Sequence, residues 1–241
     1  MDPRVPSSAP ALASRLADAA RPILRGYFRQ PIPIDDKADD SPVTRADRET
    51  EAAMRAILAV EAPEHGVIGE EYGAENTDAE YVWTLDPLDG TRAFVSGKPQ
   101  FGTLIALLHQ GRPILGVMDM PILGERWVGV LGRGTTLNGQ LARTRAAVDL
   151  ADARIATTSP EMFSDPADMA AYARLRAQVA DCNYGGDRSN YGVLAAGAPD
   201  VVLETTLTSW DLPGAGPAVL RAGGPRADRV AHPHRGHEPG R

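Results

Sequence analysis

The segment Trp83-Thr84-Leu85-Asp86-Pro87-Leu88-Asp89-Gly90-Thr91 ends a hydrophobic run on two carboxylates three residues apart. They fall in a turn that Pro87 and Gly90 impose, followed by a hydroxyl and a backbone amide. Asp-Pro and Asp-Gly turns are common in their own right, so this pair gains meaning from its company. Upstream, Ile68-Gly69-Glu70-Glu71 sets paired acids behind a short apolar strand; downstream, Trp210-Asp211 precedes a glycine-rich helical stretch ending Ala222-Gly223-Gly224. Three separate loops thus offer hard oxygen donors, which Mg²⁺ takes in near-octahedral geometry at about 2.0–2.1 Å, with water filling the open positions. Two such ions about 3.5–4 Å apart can activate a water and stabilise the leaving oxygen of an in-line phosphoryl displacement. The amides of Gly90 and Thr91, at the start of a predicted helix, are candidates to meet phosphate oxygens. Cys and Ser nucleophile motifs are missing, which agrees with direct attack by water rather than a covalent intermediate.

Those loops need elements to hold them. Leu12, Leu16, Ala19, Ala20, Ile23, Leu24 and Phe28 recur at helical spacing, predicting an amphipathic helix that ends near Gly26 to Gln30. After a Pro- and Asp-rich loop, Thr44 is an N-cap candidate for a second helix, Arg45 to about Val60, with Asp47 in its first turn to suit the helix dipole. Short apolar runs follow at 81–85, 102–108, 114–120 and 126–131; they read as strands, the second and third joined by a hairpin at Gln110-Gly111-Arg112. The second half reads as a strand near 154–158, helices near 166–179 and 189–196, and a strand at 201–204. Helices and strands interleave without a repeat, so the expected class is α/β or layered α+β.

Composition sets the bounds. The 241 residues, 43% of them hydrophobic, suffice for one domain or for two packed halves sharing a core. The formal charge is −7 and no Lys/Arg block stands out in the structured part, so neither nucleic acid nor a membrane surface is an expected partner. An acidic enzyme that handles phosphate must recruit cations. Cys182 is the only cysteine, which rules out an intramolecular disulfide and reads as a buried small hydrophobe. No signal-peptide pattern and no run of about 18 apolar residues occurs, so the expectation is a cytoplasmic protein. The acids Asp35, Asp36, Asp39 and Asp40 read as a solvated loop, and His232, His234 and His237 as part of a disordered end.

Glu70-Glu71, Asp86-Pro87-Leu88-Asp89-Gly90-Thr91 and Trp210-Asp211 with Ala222-Gly223-Gly224 resemble the three signatures of the inositol monophosphatase family, in order and at matching spacing. Lys37, Asp39, Ser41-Pro42-Val43-Thr44 and Ala46-Asp47 are similar to a fourth motif. The resemblance covers roughly residues 12 to 224, and its Asp-Pro-Leu-Asp-Gly-Thr stretch is highly specific. It implies an αβαβα sandwich of the inositol monophosphatase and fructose-1,6-bisphosphatase type, in halves of about 1–150 and 151–224. It also implies a phosphomonoesterase with two or three Mg²⁺ ions per site, and a homodimer. By the same resemblance Glu70, Asp86 and the carbonyl of Leu88 hold one metal, and Asp86, Asp89 and Asp211 the second. Glu70 and Thr91 orient the attacking water, with the Thr91 hydroxyl paired to Asp47. Glu71 is expected to be a supporting loop carboxylate.

Within the family, Phe94 to Leu107, Gly111 to Pro121 and Tyr184-Gly185-Gly186-Asp187 look like the histidinol-phosphatase branch. Histidinol carries an ammonium and an imidazole, and a cation favours nearby carboxylates. Asp187, 24 positions before Asp211, and Glu204, seven before it, are therefore substrate-binding candidates beside Asp89. Asn190 reads as a helix-surface residue, with an amide contact to the imidazole as the alternative. An inositol phosphate is the alternative ester, and a metal- or phosphate-binding scaffold without turnover the non-enzymatic alternative. The family pattern is expected to fail after Gly224: Pro213 and Pro217 interrupt the helix, and residues 225–241 are rich in Pro, Arg, His and Gly, with Val230 the only large aliphatic.

Overall fold

The computed structural model describes residues 2, 4–30, 45–146 and 148–205. Lys37, the N-cap candidate Thr44, Asp211, Ala222-Gly223-Gly224 and the 225–241 tail lie outside the described residues.

Helices α1 (Ala9–Tyr27) and α2 (Arg45–Glu61) form a layer on one face of an eight-stranded sheet. Its order is β2-β1-β3-β4-β5-β6-β7-β8, from β1 (Gly66–Gly69), β2 (Gly73–Glu75), β3 (Tyr81–Asp89), β4 (Gly102–His109), β5 (Arg112–Met120), β6 (Glu125–Val130), β7 (Gly134–Leu137) and β8 (Gln140–Ala142). β1 and β3 run parallel and every other pair is antiparallel. The short helix α3 (Thr91–Val95) follows β3.

Period-two alternation assigns the two faces. Trp83, Leu85, Ile105, Leu107, Leu115 and Val117 meet Leu12, Leu16, Met54 and Leu58 of the helices in the main core. Ala13, Ala17 and Ala20 are fully buried there, their small side chains admitting a close helix–sheet approach. Leu104, Met118, Met120 and Trp127 point to the opposite face, where they pack on Ala195 of α5 (Ser189–Ala195). Beyond α5 lies a three-stranded parallel sheet, β10-β9-β11, from β9 (Arg154–Thr157), β10 (Asp181–Tyr184) and β11 (Val201–Val202). Helix α4 (Pro166–Arg176) packs Tyr172 against Ile155 and Phe163 of that part. The order helix pair, sheet, helix, sheet, helix is the expected αβαβα layering.

The structure departs from the sequence-based elements in several places. β3 continues through Asp86 and Asp89, with a register shift between them, so the two acids sit at the end of a strand and only Gly90 turns. The 109–112 connection is a two-residue hairpin in which Gln110 and Gly111 both have positive φ, 49° and 74°. Strands β2, β7, β8 and β10 were not expected; each is three or four residues long, too short to show a period.

Candidate active site

The buried face of α2 changes character along its length. Met54 and Leu58 enter the core, while Asp47, Thr50 and Glu51, one turn apart at the N-terminal end, are buried polar groups. Asp47 lies close enough to Glu71, Glu70, Glu51 and Asp89 to feel their charge. Burial first, and then that repulsion, raises its carboxyl well above the ordinary range.

Glu51 was not singled out in the sequence. It is fully buried and accepts from the backbone N–H of Glu71 (2.7 Å) and of Tyr72 (3.2 Å), with Arg55 donating to it at 2.7 Å. Its carboxylate fixes the loop that carries Glu70 and Glu71. The signal available was its place four residues after Asp47 on the same helical face. Gly69 completes the contact: a Cβ there would lie 1.9 Å from Glu51 Oε1, so only glycine lets the strand end approach the carboxylate.

At the end of β3, Asp86 and Asp89 are buried, at 3% and 9% exposure, and Leu88 at 1%. The Thr103 hydroxyl donates to the Pro87 carbonyl at 2.8 Å and the Thr91 hydroxyl to the Leu88 carbonyl at 3.0 Å. The Thr91 hydroxyl has the Leu88 carbonyl as its acceptor, and its oxygen keeps lone pairs for a donor. Gly90, at φ 83°, caps the single turn of α3, in which Phe94 N–H donates to the Gly90 carbonyl. Glu70 is exposed at the rim, its N–H donating to Leu85, and Glu71 is paired with Arg48 at 3.6 Å.

The second-half candidates approach from the loops around the small sheet. Asp187 (φ 46°) follows Gly185 and Gly186, both also left-handed, at the entry to α5. Asn190 is not on the helix surface: it is buried, and its Nδ2 donates to the Gly185 carbonyl, holding this turn. Glu204 accepts from both the N–H and the hydroxyl of Thr158 at 2.9 Å. Burial raises its pKa, Arg188 opposes the shift and Asp187 adds to it. Arg188, also missed in the sequence, crosses to the first half, its Nε 3.0 and 2.9 Å from the two oxygens of Asp89.

The site is therefore a set of carboxylates gathered at the ends of β1 and β3 and at the start of α2, facing a second set across Arg188. Its donor chemistry fits a hard divalent cation, because clustered buried acids that raise the pKa of Asp47 carry negative charge a cation would offset. The geometry is not a finished cage: among the described residues no three His, Cys, Asp or Glu side chains converge to hold a metal ion. None of the described helices is long and apolar enough to cross a membrane.

The model of the inositol monophosphatase family matches residues 7–233. A relative from Arabidopsis thaliana named bifunctional phosphatase IMPL2, chloroplastic, is 47% identical over 90% of this chain; the chain spans 63% of that protein's length. A histidinol-phosphatase from Mycobacterium tuberculosis is 36% identical over 93% of this chain and 90% of its own. Among solved structures, an inositol monophosphatase from Zymomonas mobilis matches with a TM-score of 0.81 and 46% identity, over 91% of this chain and 85% of the other.

Proposed function

This chain belongs to the inositol monophosphatase family, a family of metal-dependent phosphoric monoester hydrolases, and from that premise we propose that it hydrolyses histidinol phosphate to histidinol and inorganic phosphate. The observation that carries the reading is the meeting of two acid sets: Asp47, Glu70, Glu71 and Asp89 on one side, Asp187 and Glu204 on the other. The first set suits a phosphate-bound cation, and the second suits the ammonium of an amino alcohol.

In this proposal Glu70, Asp86, Asp89 and the Leu88 carbonyl would hold Mg²⁺ together with Asp211. When bound, the metal supplies Lewis acidity toward a phosphoryl oxygen and lowers the pKa of a water. Glu70, exposed at the rim, orients the attacking water and accepts its proton. Because the Thr91 hydroxyl donates to Leu88, its lone pairs remain to accept from that water. Glu51 holds the Glu70-Glu71 loop from beneath, Asp47 supports the Thr91 hydroxyl, and the N–H groups of Gly90 and Thr91 receive phosphate oxygens. Asp187 and Glu204 attract the substrate ammonium. The proposal extends to two or three ions per site and to a cytoplasmic homodimer.

Phosphate release from histidinol phosphate and from a panel of neutral esters, with and without Mg²⁺, tests the reading. The expected result is Mg²⁺-dependent release with the highest kcat/KM for histidinol phosphate. The 46% identity to an inositol monophosphatase supports a second reading, an inositol phosphate substrate; a higher kcat/KM for inositol 1-phosphate would decide for it.

A further inference from the structure

Arg188 stands between the two acid sets. Its Nε lies within 3.0 Å of both Asp89 oxygens, the two side chains are 14% and 9% exposed, and the pair joins positions 99 residues apart. On its other side, Arg188 attracts Glu204 while Asp187 repels it. A guanidinium that leaves Asp89 therefore has carboxylates at hand.

We infer that Arg188 is a built-in counter-ion that competes with the metal for Asp89, so that loading this site exchanges a guanidinium for a divalent ion. The inference rests on the metal reading of the site and not on which ester is hydrolysed. Two observations support it. A single Nε–H lies 3.0 and 2.9 Å from the two Asp89 oxygens, so the guanidinium sits between them, where a cation chelated by this carboxylate would also sit. The pair is nearly buried, at 14% and 9% exposure, so two cations cannot share that position, and one can replace the other without leaving a bare buried carboxylate. Arg188 sits at the entry to α5 after three left-handed residues, Gly185, Gly186 and Asp187, a local backbone held by Asn190 rather than by Arg188 itself. Moving the guanidinium thus need not dismantle the turn.

The test uses the full chain stripped with EDTA and titrated with Mn²⁺, followed by calorimetry and by electron paramagnetic resonance of free Mn²⁺. Arg188→Ala and the length-preserving Arg188→Gln should bind Mn²⁺ about ten- to a hundredfold more tightly, the value of a lost charge-assisted contact. Their melting temperature in EDTA should fall, while that in saturating Mn²⁺ should match or exceed the wild type. In the wild-type protein the Arg188 Nε–H resonance, protected from exchange in EDTA, should lose protection on adding Mg²⁺, a readout that needs no variant. Unchanged or weaker Mn²⁺ binding in folded variants would overturn the idea, as would a resonance equally protected in both conditions. Tighter Mn²⁺ binding without hydrolysis of any ester leaves this inference standing and removes the proposed activity. Mg²⁺-dependent hydrolysis with unchanged affinity does the reverse, and absence of Mn²⁺ binding by every form removes both.

Discussion

Asp86 and Asp89 belong to a central strand paired on both sides, and Asp47 and Glu51 to the buried face of a 17-residue helix, whereas Asp187 and Glu204 stand on loops beside a three-stranded sheet whose last strand is two residues long. The first group is held by a paired strand end, a long helix and cross-links such as Thr103 to Pro87 and Glu51 to Glu71 and Tyr72. Asp187 depends on a left-handed turn pinned by Asn190. Under the proposed function, the groups that would meet metal and phosphate gain from the rigid setting. Those that would attract an ammonium over several ångströms tolerate the looser one, and loops are where a shared scaffold can change its substrate.

The difference should appear first in turnover. Asp89→Asn removes one anionic oxygen donor from the rigid set, and kcat should fall by at least about 10²–10³-fold, the loss seen when one group stabilising the transition state is deleted. Near wild-type rates at saturating Mg²⁺ would break the comparison at its strongest point.

Next in size is the support beneath the rigid set. Glu51→Ala leaves Arg55 and two backbone N–H groups without their buried acceptor and should destabilise the chain by about 3–5 kcal/mol, as breaking a buried ion pair does. Glu51→Gln keeps an acceptor oxygen; it should retain the fold and lower kcat about 10–100-fold through a looser Glu70 loop, the range for a residue that positions a ligand. Thermal melting of both variants and kinetics of the second check this.

A smaller and selective effect is expected from the loop set. Asp187→Asn and Glu204→Gln should each raise KM for histidinol phosphate about tenfold or more, the value of a charge-assisted contact, and hardly affect a neutral ester. The Gln side chain can still accept from Thr158, so the second variant should fold normally. Equal losses on both esters would make these acids structural and remove the contrast between the two sets.

The smallest effect concerns pH and lies away from both sets. Trp83 Nε1 donates to His65 Nδ1 at 3.0 Å, which requires an unprotonated Nδ1, and burial lowers the His65 pKa below 6.5. The unfolded chain then binds the proton more readily, so this contribution to stability is complete above pH 6.5 and is lost as the pH falls through the lower folded value. Melting temperatures between pH 7.5 and pH 5 should decline less steeply for His65→Gln than for the wild type, while the Mg²⁺ requirement at neutral pH stays the same.

The amino-acid sequence by itself determined whatever is encoded over a few neighbouring residues. The helical periodicity of α1, the apolar runs of β4 and β5, the Gln110-Gly111 turn and the acid spacing of Asp86-Pro87-Leu88-Asp89-Gly90-Thr91 were legible because each is set by local backbone preference. Even here Asp86 and Asp89 look like turn residues, since only pairing with β4 extends β3 past Pro87. The short strands β2, β7, β8 and β10 exist because a neighbour pairs with them. Only the tertiary structure decided that Thr91 donates to Leu88, that Asn190 is buried, that Glu51 fixes the Glu70-Glu71 loop from 20 residues away, and that Arg188 reaches Asp89 across 99. Such partners are chosen by burial, which makes an unpaired polar group costly and leaves its satisfaction to whatever the fold brings within hydrogen-bonding distance.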